Sequence, residues 1–183
     1  MVRTETSRVA RMSRALLNLE KARDITDEVT ELDAAALIRS TSEHYRVLVE
    51  HSGNKLSVDI PDGLPHVTGN ADGLSQLIVN LISNANSHTR GGTIRVKAER
   101  LPGAISVTVS DTGAGIEAEI LPGVFKRKPF RTTDGEVSGV GLSICREIVE
   151  RHGGDIRMES APGAGTSVTF RIPSAQRGSE HER

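Results

Sequence analysis

The stretch from residue 139 to residue 154 reads GVGLSICREIVERHGG, and it is the most informative part of this chain. Its opening Gly139-Val140-Gly141-Leu142 leads into a predicted helix from Leu142 to His152, which stops at Gly153-Gly154. Backbone N–H groups at a helix N-terminus suit phosphate oxygens, and the helix dipole favours an anion there. No third glycine follows the motif and no strand leads directly into it, so its spacing is not that of a dinucleotide-binding turn. The stretch suits a phosphate site at the start of a helix, but with 18 glycines in 183 residues roughly two Gly-x-Gly are expected by chance, so this motif alone does not decide.

The residues before this motif are basic: Lys126, Arg127, Lys128 and Arg131. A mobile basic loop beside a phosphate site is suited to clamp a terminal phosphate. Most runs of charge, however, simply form a solvated loop, and from these residues alone both interpretations stay open.

A long helix is predicted from Ala71 to Thr89. Its apolar face carries Leu74, Leu77, Ile78, Leu81 and Ala85, and the opposite face carries Gln76, Asn80, Asn84 and Ser87. Asparagine is a poor helix former, so two asparagine residues one turn apart suggest that their side chains have a use. An asparagine side-chain oxygen is a suitable ligand for Mg²⁺. For this helix alone, a solvated polar face is the preferred interpretation.

The segment Asp111-Thr112-Gly113-Ala114-Gly115-Ile116 directly follows a predicted strand from Ala104 to Ser110. A carboxylate at a strand end can accept a hydrogen bond from the exocyclic amine of adenine, whereas guanine presents an oxygen there. The glycines allow backbone to approach a ring closely. An ordinary Asp-Gly turn accounts for the same residues, and so does a hairpin turn for Gly163-Ala164-Gly165-Thr166.

The remaining predicted helices are Thr4 to Arg23 and Leu32 to Val49, and the remaining predicted strands are Lys55 to Ile60, Thr93 to Glu99, Ile156 to Ser160 and Ser167 to Ile172. Turns at Pro102-Gly103 and at Pro162 to Gly165 join strands as hairpins, and a polar, disordered tail is predicted from Ser174. This order predicts an α+β fold, a two-layer α/β sandwich in which helices cover one face of a mixed sheet.

In the N-terminal helix, the apolar residues Val9, Met12, Leu16 and Leu19 follow heptad spacing. The helix therefore either packs on its own domain or forms half of a dimerising hairpin, and its sequence does not decide between the two.

Composition narrows the possible functions. The chain has 183 residues, of which 36% are hydrophobic and 26% charged, as in a soluble globular protein. It contains no apolar run long enough to span a bilayer and no signal peptide. A net charge of −1 provides no basic field for nucleic acid, and a single cysteine, Cys145, excludes a disulfide framework or a Cys-based zinc site. We expect a cytoplasmic domain without nucleic-acid or membrane contacts.

Taken together, these motifs resemble the catalytic domain of sensor histidine kinases in their order and spacing. Asn80 to Ala85 resembles the N box, Asp111 to Ile116 the G1 box, Phe125 the F box, Gly139 to Gly154 the G2 box with its helix, and Gly163 to Thr166 the last glycine box. The resemblance runs from about Leu32 to Pro173. It implies the Bergerat ATP-binding fold, shared with gyrase, Hsp90, MutL and anti-sigma-factor kinases.

The resemblance also implies ATP and Mg²⁺ as cofactors and a role for each matched residue. Asn84 would coordinate Mg²⁺ with Asn80 in support, and Asp111 would bind adenine. Gly115 would lie at the ring edge, and Thr166 would reach the same aspartate or a bridging water. In the flexible ATP lid, Gly139 and Gly141 would shape the backbone at the phosphates, and Arg127 or Arg131 would lie near the γ-phosphate. The expected nucleotide-binding set is completed by Ser87, His88, Gly113, Ile116, Val140 and Leu142.

Two features depart from the family pattern. Ser87 and His88 stand where the family often has Lys and then Tyr, and loss of that Lys weakens ATP binding unless lid cations compensate. None of the six histidines lies in the family's phosphoacceptor motif. Because Thr4 to Arg23 resembles the second helix of the dimerisation hairpin, we expect a chain that begins after the acceptor helix. A split kinase acting in trans is the alternative.

The resemblance predicts a protein-histidine kinase. The γ-phosphate would pass to a histidine on a separate helix and then to the receiver domain of a response regulator, and the N-terminal helix would offer a homodimer interface. Two alternatives stay open, a non-catalytic nucleotide-binding or interaction module and an anti-sigma-factor-type serine kinase. Asn80 counts against the latter, because anti-sigma kinases place a Glu base one turn before the metal-binding Asn.

Overall fold

The computed structural model describes residues 28–126 and 140–175, together with the backbone of two short strands between them. The helices are α1 (Ala34–His51), α2 (Ala71–His88) and α3 (Val140–Arg151). The strands are β1 (Thr30–Leu32), β2 (Lys55–Asp59), β3 (Val67–Gly69), β4 (Thr93–Leu101), β5 (Ala104–Asp111), β6 (Phe130–Arg131), β7 (Val137–Ser138), β8 (Asp155–Ser160) and β9 (Thr166–Pro173). The predicted helix from Thr4 to Arg23 lies outside the described residues.

Five strands form the main sheet, in the order β2-β4-β5-β9-β8. Strand β2 runs parallel to β4, and the other three pairs are antiparallel. The predicted hairpins β4–β5 and β8–β9 are both present. The α+β sandwich with a mixed sheet is therefore confirmed, and the central strand β5 ends at Asp111.

The core lies between the sheet and the helices on one of its faces. On β4, Ile94, Val96 and Ala98 are at most 2% exposed, whereas Arg95 and Lys97 point to solvent, as strand alternation requires. Helix α2 supplies four of the largest fully buried side chains: Leu77, Ile78, Leu81 and Ile82. Each of these stabilises the fold by about 2–3 kcal/mol when buried. Helix α2 is thereby fixed over the centre of the sheet.

Local capping determines where α1 begins. The Asp33 side chain accepts a hydrogen bond from the backbone N–H of Ala36 at 2.9 Å, so the helix starts at Ala34. The predicted start at Leu32 is wrong, because Leu32 belongs to β1.

The sequence analysis also missed β1 and β3, which pair with each other beside the main sheet. Three-residue strands are too short to show an alternating pattern. On its other side, Val67 of β3 bridges to Ser174, and the N–H of Ala175 donates to the carbonyl of His66 at 2.8 Å. Disorder from Ser174 onward was thus wrongly predicted for these two residues. Residues 176–183 lie outside the described part of the chain.

Asn70 connects β3 to two helices. Its side-chain oxygen accepts from the N–H of Gly73 at 2.7 Å and caps α2. Its side-chain NH₂ donates to the carbonyl of Glu28 at 3.1 Å, and its backbone N–H donates to Nε2 of His152 at 3.0 Å. The start of α2 is therefore tied both to the incoming chain and to the end of α3.

Candidate nucleotide site

Asp111 lies where three parts of the fold meet. It is the last residue of β5, and its cross-strand partners are Ile94 on one side and Thr166 on the other. One carboxylate oxygen accepts the backbone N–H of Gly113 at 2.8 Å. The carboxylate is thus held at the end of the central strand.

The surroundings of Asp111 make its carboxylate a strong acceptor. Burial raises the pKa of Asp111 above its ordinary value, and hydrogen bonds from the backbone N–H groups of Gly113 and Thr166 oppose this only in part. A partly desolvated carboxylate gains more from a ligand N–H than one in bulk water does. The site is chemically suited to an exocyclic amine.

Glycines bring three backbone segments together around this carboxylate. Gly115 has φ +73°, and a Cβ there would collide with the carbonyl of Ala161. Gly165 has φ +79°, and its Cβ would collide with the carbonyl of Asp111. The N–H of Gly163 donates to the carbonyl of Ala114 at 2.7 Å. The loop after β5 and the turn between β8 and β9 are therefore packed so closely that side chains are excluded between them.

Ser160 lies beside the candidate site and was not predicted from the sequence. Its Oγ accepts the backbone N–H of Ile116 at 2.9 Å, donates to the carbonyl of Gly165 at 2.8 Å, and lies 2.9 Å from Oγ1 of Thr166. The hairpin register, which pairs Ser160 with Thr166, was the sequence signal that could have revealed it.

The polar residues of α2 do not share one exposed face. Asn80 is 8% exposed, its side-chain oxygen accepts from Gln76 at 2.7 Å, and it lies beside Cys145 of α3. Burial raises the pKa of the Cys145 thiol to about 12, so the thiol stays neutral. The solvated-face interpretation is wrong for Asn80, because α3 packs over that part of α2.

Asn80 and Asn84 differ in their environments. The NH₂ group of Asn80 is buried and has no hydrogen-bond partner within the described residues. Asn84, one turn further on, is partly buried, and its side chain makes no hydrogen bond to any described residue. The described residues contain no cluster of three or more His, Cys, Asp or Glu that could hold a metal ion. The side-chain oxygen of Asn84 is an amide oxygen, a type of ligand that Mg²⁺ accepts.

Ser87 and His88 lie at the exposed end of α2. The Ser87 hydroxyl donates to the carbonyl of Ser83 at 2.9 Å, which occupies its hydrogen within the helix. The carbonyl of His88 accepts the N–H of Ala114 at 3.4 Å, so this end of α2 touches the loop after Asp111.

The predicted lid residues are only partly described. Val140 begins α3, Leu142 is buried at 4% exposure, and a Cβ on the exposed Gly141 would meet nothing within 4 Å. Arg127 and Gly139 lie outside the described residues, and Arg131 is described only as a backbone position of β6 opposite Val137. Among the described residues, Gly141 is therefore the position at the start of α3 where added atoms would meet no neighbour.

None of the described helices is long and apolar enough to cross a membrane.

The fold and the site define a class of ATP-binding protein. The family model described as "Histidine kinase-, DNA gyrase B-, and HSP90-like ATPase" matches residues 69–176, which is more than half of the chain. The chain belongs to this family and carries its ATP-binding domain. The matched range includes all of α2, Asp111, Ser160 and Thr166.

Within the family, the chain is similar to sensor histidine kinases. Adaptive-response sensory kinase SasA of Thermosynechococcus vestitus is 37% identical over 147 residues, covering 78% of this chain and 39% of SasA. Sensor histidine kinase ZraS of Escherichia coli is 30% identical over 174 residues, covering 92% of this chain and 36% of ZraS. The chain therefore spans less than half the length of these relatives.

The structural comparison agrees with the sequence comparison. The catalytic domain of histidine kinase ThkA superposes with a TM-score of 0.71 at 28% identity, covering 80% of this chain and 96% of that domain. ThkA in complex with response regulator protein TrrA gives a TM-score of 0.73 at 25% identity, covering 91% of this chain and 49% of ThkA. The resemblance to histidine kinase catalytic domains inferred from the motifs is thereby confirmed.

Proposed function

We propose that this chain binds ATP at Asp111 and transfers the γ-phosphate to a histidine on a separate helix, as the catalytic part of a sensor histidine kinase. The observation that carries the proposal is the partly buried Asp111 carboxylate at the end of the central strand, beside closely packed glycine backbone. The exocyclic amine of adenine can donate to this carboxylate, and we propose the backbone N–H groups at the start of α3 as donors to the phosphate oxygens.

Residue 80 favours direct transfer to histidine over hydrolysis. Hydrolysis needs a base to take a proton from water, and an amide such as that of Asn80 cannot serve as one. Helix α2 contains one carboxylate, Asp72, and it lies in the first turn, three turns from Asn84. A neutral imidazole is already a nucleophile and needs no such base.

For Mg²⁺ we propose Asn84 as the protein ligand, because its side-chain oxygen is uncommitted among the described residues. Bound Mg²⁺ would neutralise charge on the phosphate oxygens. Asn80 would support Asn84 from the neighbouring turn. Ser87 is uncharged and stands where the family often has a lysine whose charge lies beside the phosphates. We therefore assign the neutralisation of phosphate charge to the lid residues Arg127 and Arg131. Catalysis would then consist of positioning and charge neutralisation.

The proposed partners are an acceptor-histidine helix and the receiver domain of a response regulator. The solved complex of ThkA with TrrA supports the second of these for a similar kinase. We place the chain in the cytoplasm on the basis of its composition and its single, buried cysteine.

Calorimetric titration with a non-hydrolysable ATP analogue and Mg²⁺ tests the nucleotide site. Asp111→Asn should weaken binding by at least about tenfold, because a charge-assisted hydrogen bond is lost and the amide can present an N–H to the base. Asp155→Asn is the matched control, since Asp155 is exposed at the far end of β8 and should bind like wild type. Absence of binding to folded wild-type protein would refute the site.

Labelled ATP and a separately supplied histidine hairpin test the transfer step. We expect label on the hairpin that is lost in acid and kept in alkali, as a phosphoramidate is. Acid-stable label on serine would instead favour the anti-sigma-type kinase, and binding without any transfer would favour a non-catalytic module.

A further inference from the structure

The hydrogen-bonding capacity of Ser160 is fully used. A serine hydroxyl has one hydrogen and two acceptor lone pairs. The hydrogen goes to the carbonyl of Gly165 at 2.8 Å, because a carbonyl can only accept. One lone pair accepts the N–H of Ile116 at 2.9 Å. The remaining contact, 2.9 Å to Oγ1 of Thr166, must therefore use the second lone pair, so Thr166 is the donor.

This arrangement fixes the Thr166 hydroxyl as a hydrogen-bond acceptor toward any further partner. Its only hydrogen points to Ser160, so Oγ1 offers only lone pairs to anything else. Thr166 is 8% exposed and pairs directly with Asp111 across the sheet. Its backbone N–H acts on the Asp111 carboxylate, so the two residues lie side by side. The end of the central strands therefore presents two neighbouring acceptors and no competing hydroxyl donor from Thr166.

Two adjacent acceptors discriminate between purines by the group at C6. An amino group offers two N–H donors, whereas an oxo group offers only lone pairs and would leave desolvated acceptors unpaired. If Ser160 were absent, the Thr166 hydrogen would be free to turn and donate to an oxo group.

We propose that Ser160 is a positioning residue that selects the base: it holds the Thr166 hydroxyl as an acceptor and thereby favours a 6-aminopurine over a 6-oxopurine nucleotide. Ser160 does this through Thr166 and the backbone of Ile116, without touching the base itself. The inference rests on the proposed nucleotide site.

The test compares adenosine diphosphate with inosine diphosphate, which differ at C6 and in the N1 proton that accompanies the oxo group. Calorimetry with Mg²⁺ gives, for each variant, the dissociation constant of inosine diphosphate divided by that of adenosine diphosphate. Ser160→Ala should lower this ratio by about five- to tenfold, the effect of one redirected hydrogen bond. Ser160→Thr keeps the hydroxyl and should keep the ratio. Ser167→Ala, on the adjacent residue whose side chain points to the other face of β9, should also keep it.

The outcomes separate this inference from the proposed function. If wild type prefers the adenine nucleotide and Ser160→Ala leaves the ratio unchanged, the inference is overturned and the nucleotide site stands. If folded wild type binds neither nucleotide, the proposed function itself fails, and the inference fails with it. If Ser160→Ala does not fold, Thr166→Val carries the test, because it removes the oriented hydroxyl directly. An unchanged ratio in that variant also overturns the inference.

Discussion

At the scale of single residues, the Asp111 carboxyl group lies in a partly buried environment that disfavours its ionised form. Burial is the largest influence on this carboxyl group and raises its pKa from the ordinary 3.8. A carboxyl group with a raised folded-state pKa stabilises the fold below its unfolded pKa. That contribution is lost as pH rises through the folded pKa. Near neutral pH, Asp111 is therefore ionised and able to accept a hydrogen bond from a ligand, but its ionisation lowers the free energy of unfolding of the ligand-free domain.

Asp111→Asn should remove this pH dependence, because asparagine resembles the neutral acid and keeps an oxygen for the N–H of Gly113. Urea unfolding at intervals from about pH 4 to about pH 7 measures it. The free energy of unfolding of wild type should fall relative to that of the variant as pH rises. A wild type that gains stability relative to the variant over this range would contradict the raised pKa.

The turn between β8 and β9 offers a matched pair of glycines. Gly163 (φ +75°) and Gly165 (φ +79°) both adopt the left-handed conformation, but a Cβ on Gly163 would meet nothing within 4 Å. Gly163→Ala should therefore cost only the conformational strain, about 1–2 kcal/mol. Gly165→Ala adds a collision with the Asp111 carbonyl and should cost about 3 kcal/mol or more.

Urea unfolding of both variants measures the difference, and nucleotide titration should show weaker binding for Gly165→Ala alone. Equal unfolding free energies for the two variants would mean that the backbone contact at Gly165 relaxes without cost.

At the scale of elements, Asn54 joins the turn after α1 to the end of α2. It is 3% exposed, and its NH₂ group donates to the side-chain oxygen of Asn86 at 2.8 Å and to the carbonyl of Thr89 at 3.0 Å. Its oxygen accepts the N–H of Gly92 at 3.1 Å. One side chain thus satisfies polar groups at the end of α2 and at the start of β4.

Asn54→Ala should lower the free energy of unfolding by about 3 kcal/mol, because several buried partners lose their hydrogen bonds together. It should also weaken nucleotide binding, since the end of α2 touches the loop after Asp111 through the carbonyl of His88. Asn86→Ala is the control: it removes one of these contacts and an exposed bond to Oγ of Ser52 but leaves the bonds to Thr89 and Gly92, so about 1 kcal/mol is expected. Calorimetric unfolding and nucleotide titration of both variants check these values, and a larger loss for Asn86→Ala would contradict the assignment.

At the scale of the whole molecule, patterns repeated over many residues predicted the fold well. Helix α2 was expected from Ala71 to Thr89 and is found as Ala71–His88. An apolar stripe that repeats with the helical period over several turns predicts a helix and no other element. Strands β1 and β3 carry no such repeat and depend on pairing with each other, which local sequence does not encode.

The site was predictable to the extent that its residues carry recognisable motifs. Asp111, Gly115 and Thr166 are brought together by the fold, but their roles toward a nucleotide stay predictions. The environment of Asn80 was not predictable from helical periodicity, because it depends on where α3 packs. Ser160 belongs to no motif, and its importance comes from three contacts that only the folded hairpin creates.

The pairing of both flanks of the domain with β3 has a mechanical consequence. The incoming strand Thr30–Leu32 and the outgoing Ser174 lie on either side of Val67, so tension between the segments that flank the domain is borne across this one short strand. Helix α2 begins directly after it, and the last residue of the helix, about 27 Å away along its axis, contacts the loop after Asp111. A pull on the two flanking segments would therefore reach the domain at the end of helix α2 that is farthest from the loop after Asp111.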